Sequence, residues 1–268
     1  MASYSPRSKA HSPQASTQEA SRSDVTQSKR QNATAPQEIF SEIATQFDRM
    51  SDLMSLGMHR LWKRYCTDLT AARPGQRILD LGGGTGDLAL RAAKRVGSEG
   101  KVVLVDLSRE MLQIAQERAS QKANGRFQEW VDNIDFIQAN AESLPFPDDH
   151  FDTCITSFAL RVTEHPQAVL ESAFRVLKPG GRLLVLEFSQ PEREWLGTFY
   201  RQYSQRLLPR IGKLLAQNAE AYRYLANSIQ QHPDQRTLKH QMREAGFEPV
   251  DHINLSGGLV AIHRGFKP

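Results

Sequence analysis

Cysteine is nearly absent from this chain: 268 residues carry two, Cys66 and Cys154, far apart and in no metal-type spacing. A disulfide scaffold is therefore not expected, and both read as reduced, cytosolic-type thiols. Long apolar runs are missing too. No stretch approaches the roughly 18 residues that read as a bilayer span, and no apolar h-region follows Met1, so no secretory leader is expected. Charge of one sign is not in excess either. Against 34 Lys and Arg stand 30 Asp and Glu, a formal +4 without long basic runs, and nothing asks for a nucleic-acid partner. No His, Cys, Asp or Glu cluster has ligand spacing, so no metal is expected. Internal repeats are also lacking.

What remains is an ordinary globular composition, 39% hydrophobic and 24% charged, enough for one good core. Residues 1–36 are rich in Ser, Gln, Ala, Arg and Lys with few large apolar side chains, which predicts a disordered tail. They share the Ser/Arg bias of transit peptides but show no amphipathic face. One domain is expected over 37–268. Within it, 37–72 reads as a helical cap: Ile39, Phe40, Ile43 and Phe47 form one stripe, Leu53–Gly57 interrupts it, and His59–Leu69 resumes it. After the Pro74-Gly75 turn, strands and helices alternate. Strands are expected at Arg77–Leu81, Lys101–Asp106, Ile134–Ala139, Phe151–Phe158 and Arg182–Phe188, and helices at Asp87–Val96, Arg109–Lys122 and Gln167–Val176. This alternation predicts a mainly parallel sheet covered on both faces. Residues 192–230 then read as an inserted helical lid, with Leu196, Phe199, Tyr200, Tyr203, Leu207, Ile211, Leu214 and Leu215 at helical spacing and a break at Pro209. The stripe reads as ordinary core for most of these residues, with a cover for a hydrophobic substrate as the functional alternative. A helix at Gln235–Glu244 and two closing strands predict an antiparallel edge.

The segment Ile78-Leu79-Asp80-Leu81-Gly82-Gly83-Gly84-Thr85-Gly86-Asp87 carries the most information. An apolar strand ends in a carboxylate, then a glycine-dense turn, then a helix. Such a turn lets backbone approach a ligand closely, and the helix behind it offers unpaired N–H groups and the positive end of a dipole. A dinucleotide fingerprint needs a third glycine. Counted from Gly82 that place is Asp87, and from Gly84 it is Ala89. No Gly-Lys-Ser or Gly-Lys-Thr follows, which excludes a P-loop. Asp106 closes the second strand some 20 residues on, where a carboxylate accepts hydrogen bonds from ribose hydroxyls. Ser108 is the better cap for the next helix, which leaves Asp106 for the ribose. Asn140 and Ala141, after the third strand, are placed to face an adenine edge, and Ser157 ends the fourth strand beside the cofactor.

Taken in order, D-L-G-G-G-T-G-D at 80–87, V-D at 105–106, N-A-E-S-L-P-F-P at 140–147 and R-V-L-K-P-G-G at 175–181 resemble the motifs of class I S-adenosylmethionine (SAM)-dependent methyltransferases. The flanks are more specific. M-S-L-G-M-H-R-L-W-K-R at 54–64, L-P-R-I-G at 208–212, A-Y-R-Y-L at 221–225, H-P-D-Q at 232–235 and A-I-H-R-G-F at 261–266 are similar to the ubiquinone/menaquinone C-methyltransferases, the UbiE family. The likeness spans about residues 38–268.

The resemblance implies a Rossmann-like α/β fold with a mostly parallel seven-stranded sheet, and transfer of a methyl group from SAM to a ring carbon of a polyprenyl quinol. It implies cofactor contacts at Gly82, Gly84, Thr85, Asp106, Asn140, Ala141 and Ser157. For catalysis it points to Arg161, a cation beside a phenolate, with a structural pairing to Asp48 or Glu164 as the alternative. It further implies a cytoplasmic protein held peripherally at the inner face of the membrane, with other quinone-biosynthesis enzymes as partners; Arg201, Arg206, Arg210 and Lys213 of the lid serve equally to meet anionic headgroups or to form a solvated face. His59, His232 and His263 match family positions and read as hydrogen-bonded structural residues. The chain departs from the family pattern in two motifs, most notably where Val162 stands for the Asn of F-G-L-R-N and Phe47 for the Tyr of K-Y-D-x-M-N. These departures keep two alternatives in view, a methyltransferase for another lipophilic acceptor and a non-catalytic subunit of a quinone-biosynthesis assembly.

Overall fold

The runs Ile78–Leu81, Val102–Val105 and Leu183–Phe188 become strands buried on both faces, as strands in a parallel sheet sandwiched between helices must be. Two residues in these runs are charged, Asp80 and Glu187, and both are buried. The computed structural model describes residues 44–122, 131–191, 194–203 and 219–268. The expected tail, the Ile39–Ile43 part of the cap stripe, and Leu207, Pro209, Ile211, Leu214 and Leu215 of the lid with Arg206, Arg210 and Lys213 lie outside these residues, as does the Arg201 side chain.

The sheet consists of β1 (Arg77–Leu81), β2 (Lys101–Asp106), β3 (Ile134–Gln138), β4 (Phe151–Ser157), β5 (Leu177–Phe188), β6 (Val250–Leu255) and β7 (Val260–Phe266). Their order is β3-β2-β1-β4-β5-β7-β6, with β7 antiparallel to both neighbours and the other pairs parallel. This is the Rossmann-like arrangement and the antiparallel edge expected from the sequence. β1 pairs with β2 on one side and β4 on the other, so the chain reverses its direction of winding at β1. A crevice opens beyond the carboxyl ends of the strands at such a point. One local difference concerns Pro179-Gly180-Gly181, expected as a turn before the strand. Leu177 pairs with Phe151 and Arg182 with Thr153, so β5 runs through the turn as a bulge.

Helices α1 (Phe47–Ser55) and α2 (His59–Leu69) precede the sheet, and Leu56 and Gly57 between them both adopt positive φ. The chain then forms α3 (Asp87–Val96), α4 (Arg109–Lys122), α5 (Pro166–Val176), α6 (Glu194–Gln202), α7 (Ala219–Gln231) and α8 (Gln235–Glu244). Leu88, Ala89, Ala92, Ala93 and Val96 form the buried stripe of α3. Its alanines let α3 lie close to β1 and to Trp62 and Cys66 of α2 in the core on one face of the sheet. Leu79, Leu81, Val105 and the buried residues of α5 and α8 form the second core. α6 is tied to the cap. Tyr200 stacks on Phe188 at 5.9 Å, and the hydroxyls of Tyr200 and Tyr203 donate to the carbonyls of Met54 and Leu53. Tyr200 and Tyr203 of the lid stripe thus pack against the core on the face of the cap.

Candidate active site

A cavity of about 240 Å³ occupies the crevice at the carboxyl edge. Gly82, Gly84, Thr85, Asp106, Asn140, Ala141 and Ser157 all line it, so the sheet topology brings together all seven residues picked out as cofactor contacts. The glycine turn is shaped by close approach at one residue and openness at another. A Cβ on Gly82 would lie 2.5 Å from that of Ala159, whereas one on Gly84 would meet nothing within 4 Å. Both hold positive φ, a region L-residues avoid. The backbone at Gly84 therefore faces open space without a side chain in the way.

Asp106 is fixed before any ligand arrives. Its Oδ2 accepts from the Gly84 N–H at 2.8 Å and its Oδ1 from the Ser108 N–H at 2.9 Å. Burial raises its pKa and these backbone donors oppose the rise. Ser108 caps α4, its Oγ accepting from the Met111 N–H at 3.2 Å, and Asp106 itself lines the cavity. Asn140 Oδ1 accepts from the Glu142 N–H, and Glu142 Oε1 accepts from the N–H groups of Glu164 and His165. The loop after β3 is thereby fastened to the loop after β4 across the cavity rim. Thr85 Oγ1 donates to Asp48, which is also paired with Arg118. The cap is locked to the glycine turn through this link.

Two residues at the site carried no assigned role in the sequence reading. Lys63, on α2, lines the cavity with its side chain nearly buried and Nζ 3.6 Å from Asp87. Only the folding of α2 over the turn brings it there, and no spacing rule reports that. Asp80 is fully buried beneath the turn, and neither carboxyl oxygen has a hydrogen-bond partner among the described residues. Its signal was available in the sequence, as a carboxylate inside an otherwise apolar strand. Phe47 and Val162, which depart from the family pattern, also line the cavity.

Arg161 stands apart from the cavity-lining residues. Its side chain is buried, Nη1 lies 3.2 Å from Glu187 Oε2, and it donates to the Phe158 carbonyl. The guanidinium sits 5.5 Å from the Phe158 ring centroid and 5.3 Å from that of Phe188. Its partner is therefore Glu187 rather than Asp48 or Glu164. Of the three histidines, His59 Nδ1 bonds Ser55 Oγ and His263 Nε2 donates to the Gln235 carbonyl. His232 is buried with Nε2 unpartnered among the described residues. None of the three lines the cavity.

The Asp80 environment sets a pH signature. Burial raises its carboxyl from 3.8 to about 7, against the pull of Lys63. The folded state binds this proton more tightly than the unfolded chain, so its contribution is full below pH 3.8 and is lost as pH rises through about 7. His263 works in the opposite sense. Burial lowers it from 6.5 to about 4, so its contribution is present above 6.5 and is lost toward 4. Comparison with Asp80→Asn isolates the first effect. In urea titrations from about pH 5.5 to 7, the variant should gain roughly 2 kcal/mol of stability relative to wild type. A constant difference would show that Asp80 does not titrate in this range.

Comparison with known proteins adds lineage to this geometry. Residues 25–267 match the ubiE/COQ5 methyltransferase family. A protein of Vibrio parahaemolyticus named ubiquinone/menaquinone biosynthesis C-methyltransferase UbiE is 52% identical over 243 residues, covering 91% of this chain and 92% of that one. The protein of that name in Yersinia pestis (strain Pestoides F) is 53% identical over 230 residues, 86% of this chain and 89% of its own. Among solved structures, a SAM-dependent methyltransferase from Aquifex aeolicus superposes with a TM-score of 0.60 at 17% identity, covering 82% of this chain and 98% of that one. One from Thermotoga maritima gives 0.58 at 22%, over 87% and 100%. At these identities the structures speak to the fold alone.

Proposed function

The chain belongs to the ubiE/COQ5 methyltransferase family, and on that premise we propose how its residues serve the family's reaction. It is a SAM-dependent C-methyltransferase of ubiquinone/menaquinone biosynthesis, acting on a polyprenyl quinol. The observation that carries the residue assignments is the single cavity shared by the glycine turn, Asp106 and the 140–141 loop.

The residues present fit the cofactor. Asp106 offers carboxylate lone pairs to the ribose hydroxyls, and the open backbone at Gly84 admits a close neighbour. Asn140, Ala141 and the apolar Met111 and Leu107 line the same cavity and would hold the adenine. Lys63, which lines the cavity, gives a cation for the carboxylate of an amino-acid end. Bound there, SAM supplies an electrophilic methyl group on a sulfonium centre. The chain's own task is to hold an electron-rich ring carbon in line with it, a problem of proximity and orientation. Phe47, Phe158 and Val162 give the acceptor side an apolar wall. Arg161 enters as a positioning residue. Its guanidinium sits 5.5 Å from the Phe158 ring centroid and holds the Phe158 carbonyl in place.

No helix among the described residues is long and apolar enough to cross a membrane. We place the protein peripherally at the inner face of the membrane because a long-tailed quinol resides in the bilayer. The deciding experiment is labelled methyl transfer from SAM to reduced demethylmenaquinol and to a reduced polyprenyl methoxybenzoquinol, in parallel. Product from at least one is expected, and its identity names the branch served. No product from either, with folded protein and quinols kept reduced, would overturn the assignment and favour another lipophilic acceptor or a non-catalytic subunit.

A further inference from the structure

The described residues expose six large apolar side chains, and four of them fall within ten positions: Leu56 (70% exposed), Met58, Leu61 (59%) and Tyr65. Met58, Leu61 and Tyr65 are spaced three and four apart, one stripe along the outer face of α2. Leu56 stands on the preceding turn at φ 51°, a conformation that glycine adopts more cheaply. The opposite face of α2 carries buried His59, Trp62 and Cys66, and Lys63 at the cavity. One helix thus forms a wall of the site inside and an apolar ridge outside.

The charge around the ridge is mixed with a basic excess: Arg60 is held by Asp52 at 2.8 and 2.6 Å, while Arg64 beside it is exposed. α2 and the neighbouring α3 together hold six Lys and Arg against two Asp. An apolar stripe flanked by cations matches the requirements of an anionic lipid surface, where side chains enter the headgroup boundary and cations meet phosphate.

We propose that the corner formed by Leu56, Met58, Leu61 and Tyr65, with Arg64 beside it, docks the protein on an anionic bilayer and sets the cavity beside the lipid phase. The partner follows from the proposed quinol reading, since the acceptor's tail is what such docking would deliver. The surface itself is read from exposure and charge. This face differs from the lid segment, for which headgroup contact was one of two expected roles.

The test is flotation of the full chain with phosphatidylethanolamine/phosphatidylglycerol vesicles and with phosphatidylcholine vesicles, for wild type and for Leu56→Ser/Leu61→Ser. Wild type should prefer the anionic vesicles. The double variant should need at least tenfold more lipid for half-binding, with melting temperature and SAM affinity unchanged. Methyl transfer to a short-tailed, water-dispersed quinol should be equal in both proteins, while transfer to a long-tailed quinol in vesicles should fall in the variant. Equal flotation of the two proteins, or no flotation of wild type, would overturn the docking face. So would a change in oligomeric state without a change in flotation, which would make the ridge a contact between copies. A lower melting temperature or lost SAM binding would make it structural and equally overturn the proposal. Vesicle binding that drops as expected while wild type methylates neither quinol would uphold the surface and remove the quinol reading.

Discussion

Replacing Asp106 by alanine should weaken SAM binding at least a hundredfold. A hydrogen bond to a charged group contributes about 1.5–3 kcal/mol, and a carboxylate meeting two ribose hydroxyls makes two of them, so about 3 kcal/mol is the low end and corresponds to roughly two decades in Kd. Some of the loss will be indirect, because the same carboxylate holds the Gly84 and Ser108 N–H groups. Calorimetry with SAM and with an analogue lacking one ribose hydroxyl separates the two contributions. Wild type should discriminate between them, and Asp106→Ala should not, the coupling in this cycle being the direct contact. If the variant's affinity for SAM stayed within about twofold, a change under roughly 0.5 kcal/mol, the ribose assignment would be wrong.

A loss of about 3–5 kcal/mol in folding stability is expected for Glu187→Ala. Glu187 and the Arg161 side chain are 1% and 5% exposed, and Arg161 Nε already lacks a partner among the described residues. Removing the carboxylate leaves a guanidinium buried against Phe158 and Phe188 with no counter-charge. The cost is one of desolvation, so removing the cation as well should recover most of it. Arg161→Met/Glu187→Leu should lie well above the single variant in urea midpoint, because apolar side chains replace a buried ion pair at little cost. A single variant within about 1 kcal/mol of wild type would show that the pair is screened or free to rearrange. Should the double variant keep SAM binding while kcat falls, the positioning role of Arg161 on the acceptor side would gain direct support.

These predictions rest on residues that were legible in the sequence to different degrees. The seven cofactor candidates are local in motif, each at the end of a strand or in the turn after it. A parallel sheet brings strand ends to one edge, so finding Gly82 and Ser157 on one cavity follows from alternation alone. Arg161 was also singled out, but its partner was not. Glu187 lies 26 residues away inside an apolar strand, and pairing across β4 and β5 is needed to bring it near. Lys63 was quoted only as part of a motif, because its reach into the cavity depends on how α2 crosses the glycine turn.

The sequence by itself determined the element order, the parallel character of the sheet, its antiparallel edge and the strand-end residues of the site. These follow from local periodicity and from the rule that backbone groups are satisfied within regular elements. Tertiary structure decided which charges were buried and with whom. Asp80 without a hydrogen-bond partner, the Arg161–Glu187 pair, Asp48 bridging the cap to Thr85, and Leu61 left in solvent while Trp62 is buried all depend on the packing of distant segments. Desolvation acts through everything within a few ångströms of a group, and sequence order does not record that neighbourhood.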